Sequence, residues 1–415
     1  MATQNGITSA VGLAIESAWG NVPVTIVSGN AYTVGVATTN PLRYQIVDPG
    51  EGILPKGTID VPTTEIDGSI SVQRTIMSAK RYEGNIAWKA DPENLFYSLL
   101  GTFGSCVQTT AQASTGSQSP AVYQHVYQPS KYIPSFTVEE DLGLQTQGRL
   151  TTGCCFRSLE LDFGPVLMAR AALYGKHQLP NVYPNVAGTA YTSYDFTNAQ
   201  TIYPAAIGGN DVKTLIMTAS PGYVDVAQVT GGLGNGPLVW AGVGYGGTLT
   251  TAYLSIDGVP ATGAQVLPGF KLSLTRDLLG DQTAGAGYDL GAITPGSFVA
   301  TISGLNVIFE DNSWVTAFLK HAYIGLNIKL TGPAIGTSGK SYSLEIYCPN
   351  LNFTQADVVV SGERMINVAT ATAVRLGATK EITVTDLSTV SNASLLGTQA
   401  SAPGGGGGFQ TVAPA

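Results

Sequence analysis

Hydrophobic and polar residues alternate along much of this chain with a period of two, the pattern of strands with one face buried. Phe270, Leu272 and Leu274 are separated by Lys271, Ser273 and Thr275. Ile324, Leu326, Ile328 and Leu330 are separated by Gly325, Asn327 and Lys329, and Tyr342, Leu344, Ile346 and Cys348 continue in the same way. Earlier, Leu159, Leu161 and Phe163 face opposite to Ser158, Glu160 and Asp162, while Ile70, Val72, Ile76, Ile86 and Trp88 share one parity. Further strands are expected over 136–139 and 166–174. One short helix interrupts them: Asp91 caps, Pro92 takes the first helical position, Leu95 and Leu99 share a face, and Gly101 stops it. The Ser-, Thr- and Gln-rich stretch 105–121 is expected to be a polar loop.

The pattern repeats. Gly84, Asp91 and Leu99 recur as Gly304, Asp311 and Leu319, each displaced by 220 positions, and Ser158-Leu159-Glu160-Leu161 is answered by Ser343-Leu344-Glu345-Ile346. The fold expected is mainly β: two tandem antiparallel sandwich or tube-type units, each with one short flanking helix, plus an extended N-terminal arm and a C-terminal tail. The boundaries read as an arm with first strands over 1–60, a first β unit over 61–176, and a linker with elaborated loops and strands over 177–265. A second β unit follows over 266–378, then an extended or flexible tail over 379–415.

Composition narrows the classes. Hydrophobic residues make up 44% of the 415, ample for real cores, but charged residues only 12%, and there are 51 glycines. A typical soluble chain carries roughly 25% charge, so uncharged polar faces replace the usual Lys and Glu surface. Net charge is −8 and basic residues do not cluster, which argues against gripping nucleic acid. The opening residues hold no sustained apolar core and no run of 18 apolar residues occurs, so neither a signal peptide nor a membrane span is expected.

Candidate chemistry is thin. Cys106, Cys154, Cys155 and Cys348 form no C-x-x-C and read as small buried residues of a reducing compartment. His125, His177 and His321 lie at no metal-ligand spacing from each other or from a cysteine. Glu139, Glu140 and Asp141 suggest paired carboxylates, but neighbours on a strand point to opposite faces, so a solvated strand end is the preferred reading. The glycine clusters at 231–236 and 242–247 lack the Lys-Ser/Thr of a phosphate loop. Trp88 and Trp314, flanking the two helices, read as core. No enzyme is expected: no catalytic, cofactor-binding or metal-binding residue is assigned, and no cofactor.

Four stretches resemble the tail tube (major tail) proteins of long-tailed bacteriophages. They are the opening 12–20, Gly-Leu-Ala-Ile-Glu-Ser-Ala-Trp-Gly; Tyr82-Glu83-Gly84-Asn85-Ile86 with the helix from Asp91-Pro92-Glu93; 132–140, Tyr-Ile-Pro-Ser-Phe-Thr-Val-Glu-Glu; and Gly153 with Ser158-Leu159-Glu160-Leu161. The likeness covers about 5–175 well and 265–378 loosely. It implies a structural virion protein, assembled in the host cytoplasm, whose copies polymerise into stacked rings that form the conduit for DNA ejection. A chain with two units implies a homotrimeric ring of pseudo-six-fold symmetry. The implied partners are the protein itself, the tape measure protein and other tail proteins, with the genome passing through the lumen without specific binding and no membrane involved. An acidic lumen would repel the phosphate backbone and let DNA slide. The alternative is a β-rich surface binding module, a phage decoration protein or an adhesin.

Overall fold

The computed structural model describes residues 10–16, 19, 24–27, 31–34, 43–45, 52–60, 76–90, 92, 94–115, 120–144, 147–163, 167–180, 252–256, 259–261, 266–267, 270–281, 290–308, 315, 318–319, 321, 323–335, 337–361, 364–389 and 391. Strands dominate. β1 (Ala10–Ile15), β2 (Val24–Val27), β3 (Ala31–Val34), β4 (Arg43–Gln45), β5 (Gly52–Asp60) and β6 (Ile76–Lys89) precede helix α1 (Phe96–Phe103). β7 (Gly104–Gln112), β8 (Val122–Pro129), β9 (Phe136–Leu144), β10 (Gln147–Phe163), β11 (Leu167–Gly175) and β12 (His177–Pro180) follow. The later strands are β13 (Ala252–Ile256), β14 (Val259–Ala261), β15 (Val266–Leu267), β16 (Phe270–Asp281), β17 (Ala292–Ile308), β18 (Tyr323–Ala334), β19 (Ser341–Ser361), β20 (Arg364–Ala373) and β21 (Thr383–Ser388).

One antiparallel layer runs in the order β5-β6-β11-β10-β16-β17-β20-β19. Two further sheets, β4-β1-β9-β10-β12 and β14-β13-β18-β19-β21-β8-β7, branch from it through β10 and β19, while β15 pairs β17 and β2-β3 form a separate two-stranded sheet. β10 and β19 serve two sheets each because they are long, 17 and 21 residues, and each shifts register at a bulge, after Phe156 and after Phe353. Between the layers lies one buried apolar cluster with Leu13 of β1, Trp88 of β6, Leu161 of β10, Leu272 of β16, Ile328 of β18 and Val384 of β21.

The pairings of the first half recur in the second. β1 pairs β9 and β4 as β13 pairs β18 and β14. β10 pairs β9, β11 and β12 as β19 pairs β18, β20 and β21, and β6 lies between β11 and β5 as β17 lies between β20 and β16. Aligning the two bulges makes Phe156 equivalent to Phe353 and Leu159 to Ala356. The match of 158–161 with 343–346 is therefore coincidental, since Ser343 to Ile346 lie in the other portion of β19. The displacement of 220 also needs correction. Following the ladders, Ile86 is equivalent to Leu305 and Trp88 to Val307, a shift of 219, while Gly84 falls on Ile302. Gly304, with φ 67°, is an extra residue in a bulge of β17. Burial agrees with this register: Leu99 is buried, and Phe318 at a shift of 219 packs on the core, whereas Leu319 at 220 is 72% exposed.

The helix starts and ends later than its punctuation suggests. Pro92 and Asn94 lie in turns, Leu95 is the N-cap position without a side-chain bond, and Gly104 (φ 82°) closes the helix in the left-handed region. Asp91 is outside the described residues, as are Asp311 and Trp314; Val315, Phe318 and Leu319 are helical. Gly101 lies within α1, where a Cβ would overlap the Phe156 ring; it permits close approach and does not stop the helix. The expected polar loop is the β7–β8 hairpin, whose burial fades from Cys106 to exposed Thr109 and Thr110. β5, grouped with the arm, pairs along its length with β6. The expected tail contains β21, whose Val384, Asp386 and Ser388 are buried between β8 and β19; 392–415 lie outside the described residues.

Candidate functional site

Three polar nodes hold the fold, each made by residues far apart in sequence. At the end of β1, the Glu16 carboxylate is buried and accepts bonds from Ser135 Oγ (2.7 Å), Thr137 Oγ1 (2.8 Å) and the Gly153 backbone N–H (2.8 Å). It fastens β1, β9 and β10 together. Next to it, Trp19 Nε1 donates to the Gly153 carbonyl (3.1 Å), and the Lys176 ammonium sits 4.5 Å from the Trp19 ring centre.

On β16, Arg276 is 2% exposed and spans the two halves. Its Nε donates to Thr102 O (3.1 Å), Nη1 to Ser130 O (2.9 Å) and Nη2 to Phe103 O (3.4 Å), at the C-terminal end of α1. A cation there also meets the negative end of the helix dipole. Its guanidinium carbon lies 5.4 Å from the Phe298 ring centre, and burial lowers its pKa from the ordinary value.

The third node joins β8 to β21. Asp386, fully buried, pairs with His125 Nδ1 at 2.8 Å and accepts from Tyr127 Oη at 2.7 Å. Burial first, then the Asp386 charge, raises the Tyr127 pKa well above the phenol's ordinary value. Sequence reasoning missed these nodes, because nothing local marks a partner more than a hundred residues away.

The proposed chemical residues are not brought together. His125 lies on β8, His177 on β12 against Tyr82, and His321 after the second helical stretch. No group of three metal-ligating side chains occurs among the described residues. Glu140 is buried on β9 between β1 and β10, with Arg149 as one cross-strand neighbour, so it does not sit at a solvated strand end. The Glu139 and Asp141 side chains and both glycine clusters lie outside the described residues. All four cysteines are free and buried. Burial pushes the Cys348 thiol up to about 12 and raises Cys154 and Cys155 as well, the opposite of what a nucleophile needs. No described helix is long and apolar enough to cross a membrane.

The thiols give a direct check. A group whose pKa is raised by folding contributes stability that is full below its unfolded value and is lost as pH climbs towards the folded one. For Cys348 that window runs from 9.0 to about 12. A thiol reagent at pH 8 is expected to leave all four cysteines of the native protein unmodified and to label them in denaturant, with resistance to urea falling as pH rises above about 9.

What remains exposed is surface and edge. The face of the long layer turned away from the core mixes charges: Lys271 bridges Glu160 (2.9 Å) and Asp162 (3.6 Å), and Arg81, Lys89 and Arg170 are exposed. Such exposed pairs contribute about 0–1 kcal/mol each. Both borders of that layer are open among the described residues: β5 pairs only β6, and β19 beyond Phe353 pairs only β20. Open strand borders template association with another chain. A protein-family model described as phage tail tube protein matches residues 6–373. No curated protein matches the chain.

Proposed function

Because the chain belongs to the phage tail tube protein family and is a structural component of the virion tail, we propose that its copies join border to border into a ring and that the rings stack into a tube. The genome leaves the capsid through the bore. The observation that carries this reading is the doubled set of strand pairings with an open border at each end. A chain with two equivalent units needs three copies where single-unit chains need six, so the ring is a homotrimer with pseudo-six-fold symmetry.

The two units take in more than the sequence spacing assigns. We read the first as 10–180 and the second as 252–391, since β1, β4 and β5 pair with the first set of strands and β21 with the second. The outward face of the long layer lines the bore. The net acidity of the chain does not gather there: Lys271 offsets Glu160 and Asp162, and exposed arginines lie close by. A mixed field gives phosphate neither a strong barrier nor a place to adhere, which suits sliding. Other tail proteins, the tape measure protein among them, are its further partners, and assembly takes place in the host cytoplasm.

Electron microscopy of purified protein over a concentration series tests the reading. Rings and hollow tubes of constant diameter are expected. A species that stays monomeric by sedimentation at millimolar concentration would overturn it.

A further inference from the structure

We propose that the ring closes through one defined pairing: β5 of one copy adds to the free side of β19 of the next, with Lys56 opposite Gln355. The inference rests on the ring reading above and adds the strands and their register. Its basis is a junction that the chain already contains. Within one molecule, β10 of the first unit pairs β16 of the second, with Ser158 opposite Thr275, Leu159 opposite Leu274 and Leu161 opposite Leu272. The structural equivalents of those two strands are the two open borders.

The ladders fix the equivalence residue by residue. The aligned bulges make Ser158, Leu159 and Leu161 equivalent to Gln355, Ala356 and Val358. On the other side, Ile302 pairs Leu272 while its counterpart Gly84 pairs Ile53. Leu272, Leu274 and Thr275 therefore correspond to Ile53, Pro55 and Lys56. Transferring the internal junction places Gln355 opposite Lys56, Ala356 opposite Pro55, Asp357 opposite Leu54 and Val358 opposite Ile53. Apolar residues then meet on the core parity, and Asp357 lies diagonal to Lys56.

The β19 border has the character of a surface awaiting cover. Val359, Val360 and Met365, at the β19–β20 turn, are 45%, 69% and 48% exposed. Leu319 of the second helical stretch is 72% exposed, whereas its counterpart helix α1 is buried throughout, over the internal junction. On β5, Pro55 offers no N–H, a feature tolerated at sheet borders.

The two junctions are not copies in every respect. At the internal one, Arg276 on β16 and Phe298 on β17 engage the end of α1. Their counterparts at the border are Gly57 and Lys80, paired in the same way. The β7–β8 hairpin also reinforces only the internal side, since just three residues separate Leu319 from Tyr323 in the second unit. The border between copies is accordingly the weaker junction, suited to reversible growth.

Cysteine pairing tests the register in the full chain, where the native thiols are buried. In K56C/Q355C, oxidation should lock rings into covalent trimers that survive detergent and dissolve on reduction. The intrachain equivalent S158C/T275C shows that this site type can close, by a mobility shift within a monomer. A second pair, L54C/D357C, covers the chance that the first variant misfolds, and K56C/V359C is out of register. Trimers from either in-register pair, with none from the out-of-register pair, support the proposal. Rings that form normally but stay uncross-linked in both in-register pairs, while the intrachain control closes, overturn the register and leave the ring intact. Absence of rings in the unaltered protein overturns the functional reading itself.

Discussion

Glu16→Ala is expected to destabilise the subunit by about 3 kcal/mol or more, because it strands three buried donors at once. Ser135 Oγ, Thr137 Oγ1 and the Gly153 N–H all lose their acceptor, and none reaches water, since Ser135 and Thr137 are buried. Glu16→Gln keeps one acceptor oxygen but turns an NH2 towards a donor, so a loss of about 1–2 kcal/mol is expected. Urea denaturation followed by tryptophan fluorescence measures both, at equal protein concentration because assembly adds stability by mass action. Equal midpoints for Glu16→Ala and the unaltered chain would show that the node contributes nothing.

Arg276→Ala is expected to cost a similar amount, about 3 kcal/mol, by a different route. Charge-assisted bonds to three carbonyls vanish, and the carbonyls at the end of α1 are left in an apolar setting. Arg276→Lys does not restore the loss, since a single ammonium cannot reproduce the planar fork that reaches Thr102, Ser130 and Phe103. The effect is also directional. Arg276 belongs to the second half and its acceptors to the first, so the variant loosens the junction between them. Hydrogen exchange should show faster exchange at Ser130 N–H, which donates to Phe103 O (2.8 Å), before β1 and β9 are affected. Uniform acceleration across both halves would contradict this assignment.

Much of this architecture was legible in the alternation. Residues 270–275, 324–330 and 342–348 lie in β16, β18 and β19 as their period of two requires, and the low charge with four isolated cysteines led to buried thiols. Other parts left no such trace. β7 reads as loop because Thr109, Thr110 and Ala111 are exposed on a strand that has left the core, where no apolar pattern is needed. The repeat is visible in the sequence but its short Ser-Leu-Glu match misaligns it, because only the positions of the bulges carry the register. Glu16, Arg276 and Asp386 look like ordinary surface charges in one dimension. Their role depends on partners brought close only by folding, and sequence spacing holds no record of them.

The β7–β8 hairpin is made early, yet its neighbour in the sheet is β21, from the far end of the described chain. His125 and Tyr127 meet Asp386 only after synthesis has passed residue 386, 261 and 259 positions further on. During synthesis the β7–β8 pair therefore waits without its mate, with Val122, His125 and Tyr127 destined for burial, and the apolar end of β19 is made only later. Translation order thus sets the order of completion: the β5 border is made with the first half, whereas the β19 border and the mate of the β7–β8 hairpin come only with the second.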